Sequence, residues 1–144
     1  MKKFKFRLEK ILDVKEIELK KLQKDLSDKI EEKNEAEKIL QQLIDTTNDY
    51  ARKLDADTPH SAAEFDLHFS YFHQLLEEAE LQKEVIHKLE EEENSIREKL
   101  IVVQREQKML ANLKENARQK YMDEVLKSEQ KILDEFAILG SISK

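Results

Sequence analysis

From Leu8 onward the apolar residues return in alternating steps of four and three: Leu8, Leu12, Leu19, Leu22, Leu26, Ala36, Leu40, Leu43, Tyr50 and Leu54. Lys15, Lys29, Lys33 and Thr47 occupy positions where the rhythm would place another apolar residue. Such spacing keeps one stripe on one side of an α-helix, whereas a strand needs a period of two, so the stretch predicts a helix with a heptad seam and polar interruptions. The same rhythm resumes at Phe72 and runs through Leu75, Ala79, Ile86, Leu89, Ile96, Leu100, Val103, Leu110, Ala117 and Tyr121, with Gln82, Glu93, Gln107 and Lys114 in the gaps. Between the two runs lies "LDADTPHSAAEF", where Pro59 cannot continue a helix that needs its amide. Either Thr58 caps the second helix with Pro59 at its first position, or Ser61 and Glu64 form a capping box. The expected layout is a single all-α coiled-coil domain: helix 1 over about 4–55, a corner over about 56–62, helix 2 over about 63–139, and a tail from Gly140 to Lys144.

Two seams joined by so short a corner bury each other only by folding back antiparallel. Pairing residues whose numbers sum to about 122 sets Leu12 on Leu110, Leu26 on Ile96 and Tyr50 on Phe72, and places Lys29 opposite Glu93 and Lys15 opposite Gln107. A slip of one heptad sets Leu22 against Glu93 or Lys15 against Lys114, and an unpaired buried charge costs several kcal/mol, so the first register is expected. Met1 then lies level with Tyr121, and everything from Met122 onward overhangs. Met122, Val125, Ile132, Phe136 and Leu139 form a stripe shifted in phase from the seam, which predicts a helical overhang that faces something other than helix 1.

Composition narrows the chemistry. One Gly and one Pro among 144 residues exclude the many turns of a sandwich, barrel or α/β fold, and a lone glycine excludes a phosphate-cradling loop. The four histidines include no i,i+4 pair, Glu90 to Glu93 point in all directions around a helix, and Ser141 and Ser143 have no base nearby in sequence. No catalysis, metal or cofactor is therefore expected. The absence of cysteine fits a cytosolic protein, and no leader-like apolar run or stretch of about 18 apolar residues predicts direct membrane insertion. A net charge of −6 speaks against nucleic acid, with one basic cluster formed by Lys2, Lys3, Lys5, Arg7 and Lys10 against Glu9. Aromatics are few, yet Phe65, Phe69, Tyr71 and Phe72 crowd "FDLHFSYFHQLL", close to Tyr50 and beside the corner. Phe72 has Tyr50 to meet and Phe65 can close the corner, but Phe69, Tyr71 and Leu76 lie off the seam, as interface anchors do.

The two ends carry more than periodicity. "FKFRLEKILDVKEIELKKLQKDL" and "ANLKENARQKYMDEVLKSEQKILDEFA" resemble the flagellar export protein FliJ family, which opens with F-x-F-x-L-x-x-[VIL]-L and closes with Y-x-x-E, E-Q-K and D-E. Here these are Phe4, Phe6, Leu8, Ile11 and Leu12, then Tyr121 and Glu124, Glu129 to Lys131, and Asp134 with Glu135. The family's Arg-rich tail is replaced by "AILGSISK". The resemblance implies a non-catalytic stalk of the type III export apparatus, similar to the γ subunit of rotary ATPases. It would sit in the hexameric export ATPase FliI with its regulator FliH, reach the cytoplasmic domain of the gate FlhA, and handle export chaperones. That work would take place at the cytoplasmic face of the inner membrane, at the flagellar basal body. On this reading the ATPase-facing residues are Phe4, Phe6, Leu8, Ile11, Tyr121, Met122, Val125, Ile132, Asp134, Phe136 and Leu139. The gate- or chaperone-facing residues are Tyr50, Phe69, Tyr71, Phe72, Leu76 and Ala79. A general coiled-coil chaperone or scaffold without an ATPase partner would share the hairpin but not the matched ends. A nucleic-acid-binding arm would need basic faces that the second helix lacks.

Overall fold

A computed structural model describes residues 2–142; Met1, Ser143 and Lys144 lie outside the described residues. The fold is an all-α antiparallel hairpin of two long helices, α1 (Glu9–Ala56) and α2 (Ala62–Ile142), with no strand among the described residues. It divides into two compact units. A terminal unit comprises Met1–Lys21 with Leu100–Lys144, and a corner unit comprises Leu22–Lys99.

Glu, Lys, Leu and Gln, all good helix formers, dominate both helices, and their surfaces are laced by local pairs such as Glu35–Lys38 at 3.4 Å and Glu115–Arg118 at 2.8 Å. Helix α1 starts at Glu9, five residues later than expected. Lys2, Lys3, Lys5 and Arg7 would set positive charge against the positive end of the helix dipole, whereas Glu9 complements it. Of the two candidate caps of α2, Ser61 is used: its Oγ accepts from the Glu64 amide at 3.1 Å, while the Glu64 carboxylate accepts from the His60 amide at 2.8 Å. Gly140 does not end α2, which runs on to Ile142 without a positive-φ glycine. A glycine inside a helix costs only about 1 kcal/mol, and no turn among the described residues asks for the left-handed conformation.

Leu12 in the terminal unit and Leu75 in the corner unit are about 95% covered, as are Val103 and Ala36; the other seam residues, including Lys15, Lys29, Lys33, Thr47 and Gln107, are half-buried. Two helices cover only one stripe of each other, so a thin seam is the whole core. Polar seam residues are satisfied individually. Thr47 Oγ1 donates to the Leu43 carbonyl at 2.6 Å, and Gln82 Nε2 crosses to the Ala36 carbonyl at 2.9 Å, past the smallest side chain of the seam. Among the described residues no buried side-chain nitrogen or oxygen lacks a partner.

Three of the four cross-helix ion pairs fall within about one residue of the expected register, but with different partners; Lys33–Glu93 lies about one helical turn from it. In the corner unit Lys29 reaches Glu92 at 2.8 Å rather than Glu93, which is taken by Lys33 at 2.9 Å and by Arg97 at 3.0 Å. In the terminal unit Lys15 pairs with Glu106 rather than facing Gln107, and Lys114 pairs with Glu9 at 2.9 Å. The cause is the lysine stem, which lies along the seam and carries its ammonium outward to the flank, where water still reaches it. Glu93 differs in being only 6% exposed. Hydrogen bonds from Lys33 and then Arg97 hold its carboxyl below the usual carboxylate value against the opposing pull of desolvation. The bond to Lys29 lowers Glu92 in the same way, and the bond to Glu93 raises Lys33.

Two expectations follow. A carboxylate depressed in the folded state contributes stability that is complete above its unfolded pKa and is lost as pH falls through the folded one. Melting temperature should therefore decline on acidification below the ordinary value of 4.5, and the decline should be shallower in Glu93→Gln; superimposable acid limbs would show that this pair contributes nothing. Cysteines replacing Leu26 and Ile96 should form an intrachain disulfide, and preferential closure of position 26 with position 89 would overturn the register.

Candidate protein-binding surfaces

In the corner unit, Tyr50 on α1 sets its ring edge-on against Tyr71, with centroids 4.7 Å apart, and bonds its hydroxyl to Nδ1 of His68. The expected Tyr50–Phe72 ring contact is replaced by these two, because a half-buried phenol takes a polar partner that phenylalanine does not have. At 100° per residue along α2, Tyr71 lies on one flank of the seam, whereas Phe65, Phe69 and Leu76 lie on the other. Phe65 stacks over Phe69 and Phe69 over His73, each at 6.4 Å, in a ladder of i,i+4 steps that ends at a His73–Glu77 pair of 3.2 Å. Phe69 is 64% exposed, and Leu76 and Tyr71 are also exposed. Phe72 is half-buried at the seam's edge, and Ala79 is half-buried within it. The six expected residues therefore form two groups: Phe69, Phe72 and Leu76 with neighbouring Ala79, and, across the seam, Tyr50 with Tyr71. Beside the first group Leu54, Pro59, Phe65, Phe69 and Phe72 line a mostly apolar hollow of about 360 Å³, with Asp55, Thr58 and His68 as its polar members. Leu54, Pro59 and His68 were not among the expected site residues. The i,i+4 spacing of Phe65, Phe69 and His73 is the signal that foretells the ladder.

In the terminal unit, Tyr121 and Val125 are the last residues of α2 to be half-buried, and every described residue from Leu126 onward is exposed. Four of the five residues of the expected stripe, Met122, Ile132, Phe136 and Leu139, are exposed, Phe136 by 66%, while Val125 is half-buried. Leu126, Leu133, Ile138 and Ile142 are exposed as well, which makes the apolar surface wider than the stripe read from the sequence. Asp134, also expected here, accepts a bond from Gln130 at 3.0 Å on the surface of the same helix.

The segment ahead of α1 differs from the helix expected there. Phe4, Phe6 and Leu8 are half-buried and alternate with exposed Lys3, Lys5 and Arg7, the two-residue period of an extended chain. The Phe4 ring rests 5.6 Å from that of Tyr121, whose hydroxyl donates to the Lys2 carbonyl. Phe4 and Tyr121 thus tie this segment to α2, Phe6 and Leu8 are half-buried beside them, and Ile11 remains 48% exposed.

Among the described residues no group of three or more His, Cys, Asp or Glu side chains is placed to hold a metal, and no helix is long and apolar enough to cross a membrane. A family model described as "Flagellar FliJ protein" matches residues 4–144. The chain belongs to the FliJ family. No curated protein and no solved structure matches it. Membership in FliJ makes the chain a component of flagellar protein export, in a family of non-catalytic export components, and points to protein partners within that apparatus.

The distinction between seam and surface is measurable. Leu75→Ala, at a position 5% exposed, is expected to cost about 2–4 kcal/mol in chemical denaturation. Leu133→Ala, at a position 61% exposed, should stay within about 0.5 kcal/mol of the parent. Equal losses would mean that the overhang is packed in solution.

Proposed function

We propose that this FliJ-family chain is a non-catalytic stalk that binds and promotes the FliI ring, together with FliH, and couples it to the cytoplasmic domain of FlhA while handling export chaperones. It would act at the cytoplasmic face of the inner membrane, at the flagellar basal body. The observation that carries the reading is the unpartnered apolar length of α2 after Val125. The seven large exposed apolar residues from Leu126 to Ile142, with neighbouring Met122, are far more than a surface helix of a monomer leaves in water without use. FliI is assigned to this surface through Met122, Ile132, Phe136 and Leu139, with Ile11 beside it. Phe4, Phe6, Leu8, Tyr121 and Val125 support it by fastening the segment ahead of α1, and Asp134 provides a polar rim.

The gate or a chaperone is assigned to the corner unit. Exposed, mutually stacked aromatic rings are well suited to anchor a partner, because their positions are already restricted before binding. Phe69, Phe72 and Leu76, with Ala79 at their edge, form the main contact, and Tyr50 with Tyr71 forms a second one on the opposite flank. A general chaperone or scaffold would also use such surfaces but would have no reason to distinguish FliI from FlhA.

The test measures both partners on both variants. Ile132→Ala with Phe136→Ala should lower FliI affinity and stimulation by roughly tenfold or more, with FlhA binding retained. Phe69→Ala with Leu76→Ala should do the reverse. Loss of both partners in either variant, or of neither in both, would remove the two-surface assignment.

A further inference from the structure

The segment ahead of α1 presents a row of positive charge that the docking surfaces above leave unused. Five cations, Lys2, Lys3, Lys5, Arg7 and Lys10, stand here in a chain of net charge −6. The single carboxylate among them, Glu9, is already engaged by Lys114 at 2.9 Å. The five cationic groups make no ion pair among the described residues. The alternation of the segment sorts its side chains: Phe4, Phe6 and Leu8 are half-buried, with the Phe4 ring against Tyr121 of α2, and Lys3, Lys5 and Arg7 are exposed. An extended backbone spaces Lys3 and Lys5 about 6.6 Å apart, and Arg7 follows in the turn that the Glu9 amide closes on the Phe6 carbonyl at 3.1 Å. Lys120 of α2 borders the same groove as Lys2, Lys3 and Lys5, which widens the row into a patch where four lysines outnumber the one carboxylate, Glu124.

We propose that this patch binds the surface of an anionic phospholipid bilayer. Charge complementarity requires an anionic occupant, and the burial pattern selects which one. A protein interface needs an apolar core, and a single-stranded nucleic acid needs aromatic faces on which to stack. The aromatic rings of this segment are turned inward, leaving charge as its outward chemistry. A bilayer rich in acidic headgroups requires nothing more, since each Lys or Arg near it contributes independently. The remaining chain is strongly acidic and is repelled by such a surface, so the contact is confined to the patch. The proposal refines the placement at the membrane given above but does not depend on the FliI or FlhA assignments, because vesicles contain neither protein.

The experiment is cosedimentation of the full chain with vesicles of phosphatidylglycerol and phosphatidylethanolamine, against vesicles of phosphatidylcholine, at low and at high salt. Binding is expected to the anionic vesicles at low salt and to weaken as salt rises. Reversing the outward row with Lys3→Glu, Lys5→Glu and Arg7→Glu should reduce binding roughly tenfold or more. Reversing three exposed lysines of α1, Lys20→Glu, Lys21→Glu and Lys24→Glu, alters net charge equally and should retain most of it. Circular dichroism confirms that both variants keep their helices. No retention on anionic vesicles, equal loss in the two triple variants, or preferential capture of polyglutamate or RNA by the parent chain would each overturn the proposal.

Discussion

Glu93 is the constraint on which the corner unit turns. A carboxylate 94% covered is tolerable only with its charge compensated, and Lys33 and Arg97 compensate it from opposite helices. Sliding α1 by one heptad would replace Lys33 with Leu26 or Leu40 and leave the buried charge with Arg97 alone, a penalty that half-buried leucines do not return. Apolar contacts hold the helices together but are nearly indifferent to a slip, because one leucine resembles the next. Specific alignment comes from the polar interruptions of the seam, including Gln82 reaching the Ala36 carbonyl.

The same geometry that makes the seam thin makes the surfaces rich. A helix pair shields one stripe per helix, so apolar side chains off that stripe stay in water. They are concentrated where the local structure gives them no second layer: the Phe65–Phe69 ladder next to the corner, and α2 after Val125. Membership in a family that works inside an export apparatus gives those residues a reason to be there, and the seam supplies the rigid base on which they are displayed.

Much of this was legible in the sequence because heptad spacing and the position of Pro59 are strong, local signals. The seam from Leu8 to Tyr121, the corner and the helical overhang follow from them, whereas the cap stood open between Thr58 and Ser61 until the Ser61–Glu64 bonds decided it. What was not legible depended on side-chain length and hydrogen bonding rather than period. Lys29 found Glu92 because its stem bends outward, and Tyr50 found His68 because its hydroxyl needed a partner. The start of α1 was misplaced because "KFKFRL" was read in a helical frame although it alternates with a period of two. Gly140 was given the role of a stop, a role that a glycine fills only where a turn requires it.

Helix α2 has one further property. Pro59 precedes it and Gly140 lies in its last turn, so from Ala62 to Leu139 it contains neither of the residues at which helices commonly kink. Within the terminal unit every turn from Leu100 to Leu139 hands its load to the next through a hydrogen-bonded backbone, so a push or a twist applied where α2 stands uncovered travels along the helix toward Tyr121.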